Sequence, residues 1–333
     1  MSKKSKSKSQ TVKKNKVDVA GVNVLGKKEP QATQQSKKGI LILIILLFIA
    51  FFIGEIYYVT QKSIAENKKP EFVGAWQKIS PGCTHTIVYS DNLYIIDNER
   101  GEIYIYEKQS GKSKQVLTFD EGVWGVSQLS DGKMYVLHKN NIISILDPEG
   151  KPINKINFGT GNFSYLWIDV DSKDNIYMVD GVNAKVVKFA SDMKKISEFG
   201  GRGSSKDKFS LNLAKVIVSP TDDLYCLERA EKNQANVKIF DTNGKFKNMF
   251  QIKHIKQLSN LENLAISPTG YVYINDFGGS KIVVYNSKGK YMGAFDTDVN
   301  KQFLITYPAS ICGDKENLYV PTHKIGIFKY IKY

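Results

Sequence analysis

The chain has 333 residues, 42% hydrophobic and 24% charged, with a formal net charge of +14, a length that allows one large domain or a few ordinary ones. The charge excludes less than it suggests, because residues 1–38 hold eleven Lys against only Asp18 and Glu29. The remainder is mildly basic and Arg-poor (Arg100, Arg202 and Arg229 only), which argues against nucleic-acid binding.

In chain order, residues 1–38 lack apolar periodicity and read as a disordered Lys-rich tail. Residues 39–59, GILILIILLFIAFFIGEIYYV, contain one charge, Glu55. At the helical rise they span about 32 Å, enough for a hydrocarbon core of about 30 Å. Tyr57 and Tyr58 stand where an interfacial aromatic belt would lie, and Lys37 and Lys38 flank the near end. The positive-inside rule then predicts a single-pass signal anchor with a cytoplasmic N-terminus, and places everything after residue 59 outside the cell membrane. The length of the apolar core argues against a cleaved signal peptide. Tail lysines near an anionic inner leaflet would add to membrane contact. Residues 60–70 read as a linker.

From there the chain repeats. A hydrophobic–Tyr–hydrophobic triplet recurs around Tyr94, Tyr135, Tyr177, Tyr225, Tyr273 and Tyr319, at spacings of 41, 42, 48, 48 and 46 residues. Each triplet follows a turn signal and precedes a second β-rich run, at 103–106, 142–146, 186–189, 237–240, 282–285 and 325–328. Four of these runs lead into Gly-Lys turns, Gly111-Lys112, Gly150-Lys151, Gly244-Lys245 and Gly289-Lys290. A last strand ends on Phe119, Phe158, Phe199, Phe250 or Phe295. No helical periodicity interrupts the units. Four short strands per unit at this period predict an all-β six-bladed propeller of four-stranded antiparallel blades over residues 71–333. The sixth unit lacks a fourth strand before the chain ends. The segment 71–79 is therefore predicted to close the last blade and remove an open edge.

The repeat resembles the NHL-repeat family of six-bladed propellers over residues 83–333. The resemblance is carried best by Phe199-Gly200-Gly201-Arg202-Gly203, Lys208-Phe209-Ser210, Val218-Ser219-Pro220, Asp223-Leu224-Tyr225 and Val237-Lys238-Ile239-Phe240-Asp241. The family's acidic residue, three positions after the second-strand aromatic, reads here Asp97, His138, Asp180, Glu228, Asp276 and Thr322. Such a carboxylate is expected to accept backbone N–H groups of a turn.

The chemistry is less specific. The three cysteines (Cys83, Cys226, Cys312) lack CxxC spacing and exclude a disulfide framework or zinc ribbon. They read as small buried residues. A Cys83–Cys312 bridge stays open. Four His (His85, His138, His254 and His323) lack HxH or HExxH spacing, so no metal, cofactor or catalytic residue is assigned. There is no GxSxG, P-loop or strand–GxGxxG–helix pattern. The candidate ligand-binding face gathers at first-strand entries and at turns between second and third strands: Trp124, Trp167, Tyr165, Arg100, His138, Lys139, Arg229 and His323. Aromatic groups beside cations suit an extended peptide or glycan. The sequence thus favours a non-catalytic, membrane-anchored module that binds a protein or cell-envelope polymer. Its composition suits a bacterial cell surface. A tethered propeller hydrolase or lyase with its site at the channel mouth is the second reading, and a structural subunit of a membrane complex the third.

Overall fold

A computed structural model describes residues 31–67, 72–76, 83–210, 212–230, 234–255, 261, 263–276, 279–296, 310–321 and 325–329. Residues 1–30 of the tail expected to be disordered, residues 68–70 of the expected linker and His323 lie outside the described residues, whereas residues 31–38 and 60–67, read from sequence as disordered tail and linker, are helical and continue the apolar helix at both ends. Two units are present, Met1–Gln61 and Lys62–Tyr333.

The first unit carries α1, Gln31–Asn67, a 37-residue helix. Its stretch Gly39–Tyr58 is long and apolar enough to cross a membrane, and none of it is buried against protein. Ile40, Leu47, Phe51 and Ile56 are each more than half exposed. A helix apolar on all sides finds no stable place in water.

The second unit is all β. Among the described residues, those with β-branched and aromatic side chains form 24 short strands, and turns with left-handed residues separate them. β1 is Phe72–Trp76. The first sheet holds β2 Cys83–Tyr89, β3 Asn92–Asp97, β4 Glu102–Glu107 and β5 Ser113–Thr118. The second holds β6 Val123–Gln128, β7 Met134–His138, β8 Ile142–Leu146 and β9 Pro152–Asn157. The third holds β10 Tyr165–Val170, β11 Ile176–Asp180, β12 Lys185–Phe189 and β13 Lys195–Gly200. The fourth holds β14 Asn212–Val218, β15 Leu224–Ala230, β16 Gln234–Phe240 and β17 Phe246–Ile252. The fifth holds β18 Leu264–Ile266, β19 Val272–Asp276, β20 Lys281–Tyr285 and β21 Tyr291–Asp296. The sixth holds β22 Cys312–Gly313, β23 Asn317–Pro321 and β24 Ile325–Lys329. Its fourth strand is β1, paired antiparallel with β24 from Phe72↔Phe328 to Trp76↔Ile325.

The described residues thus form six four-stranded antiparallel sheets. Apolar clusters lie between consecutive sheets, and one of them, Leu93, Ile95 and Tyr319, joins the sixth sheet to the first. A ring closed in this way is a β-propeller, in which each blade buries both faces against its neighbours.

The repeated Tyr occupies the second strand of each sheet and is at most 4% exposed at all six positions. Its ring fills the space between blades, and its hydroxyl needs a partner there. Tyr177 donates to Asp171 at 2.8 Å, Tyr319 to Asp314 at 3.0 Å, and Tyr135 to the Ser191 carbonyl at 2.6 Å.

The Gly-Lys turns and the outer Phe belong together. Gly244 and Gly289 adopt φ of +79° and +80°, a region that favours Gly. A Cβ on Gly244 would stand 2.7 Å from the side chain of Phe199, and one on Gly289 2.2 Å from that of Phe250. Each turn is pressed onto the outer-strand aromatic of the preceding blade.

Four of the six positions after the Tyr carry a carboxylate that ties a turn. Asp97 accepts from Arg100 N at 3.1 Å, Asp180 from Ser164 N and Val182 N, and Asp276 from Gly279 N. Glu228 accepts from the backbone and hydroxyl of Ser210, and its other oxygen lies 3.3 Å from Lys238 Nζ. These carboxylates therefore serve the fold.

Candidate functional site

The first strand of every blade borders the central channel. Where those strands end and turn into the second strands, they enclose a cavity of about 510 Å³. Its walls combine apolar side chains (Ile87, Val170, Ile217, Leu264, Ile266 and Ile311) with Tyr89, Trp167, Asp169, Gln128 and Asn263. Successive residues of a strand alternate in direction, so Trp167 and Asp169, two apart on β10, share one side.

Asp169 is the hub. Its carboxylate accepts from Val170 N and Val218 N, each at 2.9 Å, and from the Tyr89 hydroxyl at 3.2 Å. Tyr89 also meets the Ser127 hydroxyl at 2.9 Å. One carboxylate thereby joins the third blade to the first and fourth, and through Tyr89 to the second. Burial raises the Asp169 carboxyl to about 6, although its hydrogen bonds and Lys215 pull the other way. Burial, then the Asp169 charge, pushes the Tyr89 phenol well above its ordinary range.

Deeper in the channel, the Lys215 ammonium lies 3.4 Å from the centroid of the Trp167 ring, and the His85 ring lies 5.1 Å from it. Lys215 is 2% exposed, and the contact is a cation–π pair in a desolvated setting. Burial, then the Lys215 charge, depresses His85 well below its ordinary value, which keeps the imidazole neutral. Gly125 lies close to the same strand, since a Cβ there would crowd Ile168 at 3.2 Å. Beside it, Ser310 accepts from Thr86 N at 3.1 Å and from the Asn263 amide.

The rim is built from the turns between first and second strands. Ser130 donates through its backbone and hydroxyl to Asp174 at 2.8 and 2.5 Å. Ser172 does the same to Asp222 at 2.9 and 2.6 Å. Asp171 accepts from Asn175, Tyr177 and Lys173 N.

The residues selected from sequence fall into different surroundings. Trp167 stands in the channel beside the cavity. Tyr165 packs against Phe158, Phe163 and Phe189. Trp124 and Lys139 meet with the ammonium 6.0 Å from the ring centroid. His138 is fully buried, pairs with Ser144 at 2.8 Å and packs on Phe119. Arg100 is exposed beside Asp97, and Arg229 donates to the Leu261 carbonyl at 3.3 Å. Trp124 with Lys139, and Arg100, lie toward first-strand entries and second-to-third-strand turns, the end opposite the cavity. His85 and His138 occupy separate environments. Cys226 and Cys312 are free thiols, so the Cys83–Cys312 bridge left open by the sequence is not formed.

Sequence reasoning missed Tyr89, Asp169, Lys215 and Asn263. A signal existed for two of them. An Asp in LWIDV and a Lys in LAKVIV interrupt first strands that otherwise read as apolar, and polar residues there need a local purpose.

This architecture defines a β-propeller with four-stranded antiparallel blades and an N-terminal apolar helix. No family model and no curated protein matches the chain. Solved propellers do. Hydrazine synthase of Kuenenia stuttgartiensis aligns with a TM-score of 0.55 at 11% identity, over 79% of this chain and all of that one. A catalytically inactive variant of virginiamycin B lyase from Staphylococcus aureus, with quinupristin, aligns with 0.54 at 16%, over 76% and 82%. The Cps50 (Swd1) β-propeller domain of Myceliophteria thermophila aligns with 0.55 at 9%, over 79% and 100%. At such identities the likeness extends to the fold alone.

Proposed function

We propose that this chain is a single-pass, membrane-anchored propeller of six NHL-like blades that holds a ligand outside the cytoplasm, in the cavity where its first strands end. The apolar helix and the Lys-rich tail before it support the anchor and its orientation. The observation that carries the binding reading is the state of the cavity's carboxylates. Asp171, Asp174 and Asp222 are committed to neighbouring turns, which holds the cavity's shape and leaves them poorly placed for turnover. Concave walls that mix apolar, aromatic and a few polar groups are typical of ligand sites. The ligand would be a small molecule or one end of a cell-envelope polymer or protein. The aromatic–cation pair Trp124–Lys139 at the other end offers a second contact for an extended partner.

A hydrolase or lyase is the second reading. It is favoured by Asp169, raised to about 6 beside the Tyr89 hydroxyl, because a group titrating near neutrality suits proton transfer.

Ligand-observed NMR on the full chain in nanodiscs tests the binding reading. Fragments should bind the wild type, and Ile217→Trp, which fills the cavity, should abolish binding with the thermal midpoint preserved. Equal binding by both proteins refutes it. Turnover of any bound fragment, lost in Asp169→Asn, would instead select the second reading.

A further inference from the structure

We infer that the cavity takes a small organic cation, an amine carried on an apolar body, with Asp169 as its anchor. This rests on the reading of the cavity as a ligand site and narrows the ligand's chemistry.

The first support is the position of Asp169. The rim acids sit on turns, whereas Asp169 is on a channel strand and opens on the cavity between Trp167 and Tyr89. An ionised carboxylate offers about four acceptor sites, and three hydrogen bonds reach this one, from Val170 N, Val218 N and Tyr89. One lone pair is left for an ammonium N–H, in a place where water has largely been removed and a charge-assisted hydrogen bond is strong.

The second support is the sign of the walls. The charged side chains that line the described cavity are all carboxylates: Asp169, Asp171, Asp174 and Asp222. The hydrogen bonds of Asp174 and Asp222 come from neutral Ser donors, which bring no counter-charge. Groups packed around Asp169 from the other first strands do not reverse that sign. β2 presents His85, held neutral, and Tyr89, held protonated. β14 presents Lys215, which is seated against the Trp167 ring and whose charge also acts on Asp169, so it offsets part of one carboxylate without reversing the sign of the four. β22 presents Cys312, whose thiol burial pushes up to about 12. β6 and β18 contribute only neutral lining, such as Gln128 and Leu264. Lys188 stands 3.9 Å from Asp171 at the rim and offsets one charge of the four.

The third support is the remaining surface. Ile87, Val170, Ile217 and Ile311 form an apolar wall of a size suited to a ring system, and aromatic groups beside a carboxylate favour an alkylammonium over a hydrated metal ion.

The test uses three probes of one shape: 2-(1-naphthyl)ethylamine, 2-(1-naphthyl)ethanol and 1-naphthylacetate. Each is titrated calorimetrically into the full chain in phosphatidylcholine nanodiscs, with empty nanodiscs as reference. The amine should bind about tenfold more tightly than the alcohol and more tightly still than the acid. Asp169→Asn should remove that preference, bringing the amine to within about twofold of the alcohol measured in the same variant. Amine binding should weaken as pH falls through about 6 in the wild type and stay flat in the variant. Equal or tighter binding of the alcohol or the acid overturns the cation assignment and leaves the cavity as a ligand site. An amine preference over the alcohol that survives in Asp169→Asn overturns the anchor. Failure of all three probes at millimolar concentration overturns the inference, and the fragment comparison with Ile217→Trp then decides the broader reading separately.

Discussion

The rim of the cavity is tied along one arc and untied at the next seam. Between the second and third blades, Ser130 is bound to Asp174, and between the third and fourth, Ser172 to Asp222. At the seam between the fourth and fifth, the equivalent positions are Pro220 and Gly270. Donor and acceptor have gone together. The backbone is still prepared for a latch, since Asp174, Asp222 and Gly270 all adopt positive φ, at 61°, 61° and 80°. One turn geometry therefore serves both arcs, and two side chains decide whether adjacent blades are fastened at the rim. Blade packing closes the ring, while the latches add local stiffness to one side of the cavity.

The two arcs are disturbed most severely from beneath. Glu228 and Lys238 form a buried pair in the fourth blade, which belongs to both arcs. Glu228→Ala should cost about 3–5 kcal/mol, because it removes the counter-charge of a buried ammonium and the acceptor of the Ser210 N–H. Urea unfolding of the full chain checks this, and a loss below about 1 kcal/mol would contradict it.

Asp169 spans the arcs, joining Tyr89 of the first blade to Val218 of the fourth. Its carboxyl is raised from 3.8 to about 6 in the folded chain. The folded state therefore holds a proton that the unfolded chain has released, and this contribution is fullest below about pH 4 and lost as pH rises through 6. The stability of wild type relative to Asp169→Asn should fall between pH 4 and 7 by about 1–2 kcal/mol, once exposure to the cavity is discounted. Urea midpoints across that range read it.

Latch removal comes next. Asp222→Ala should cost about 1 kcal/mol through two lost hydrogen bonds, and Asp174→Ala the same. Hydrogen exchange should quicken in the rim turns of the second to fourth blades and stay unchanged in the fifth. The smallest effect comes from building a latch rather than removing one. Pro220→Ser combined with Gly270→Asp should install a third latch, with a favourable coupling of about 0.5 kcal/mol in a double-mutant cycle.

Much of the fold was legible because propellers repeat their constraints. The Tyr spacing exposed the second strands, and the missing fourth strand of the last unit pointed to 71–79, of which Phe72–Trp76 pairs with β24. Propensity and turn chemistry act locally, so they survive in a single sequence. The cavity was not legible, because it depends on which residues of six distant strands face one another. Asp169 and Val218 are 49 residues apart, and Thr86 and Ser310 are 224 apart. Trp167 drew notice as an aromatic, but its partners Lys215 and His85 come from two other blades.

Binding in the cavity is tested most directly by locating the bound ligand. A fragment that binds the full chain is given a diazirine, irradiated in nanodiscs and mapped by mass spectrometry. Labels are expected on the first-strand peptides around Tyr89, Val170 and Ile217, competed by the parent fragment. Labels confined to the opposite end, around Arg100, Trp124 and Lys139, would contradict a ligand held in the cavity.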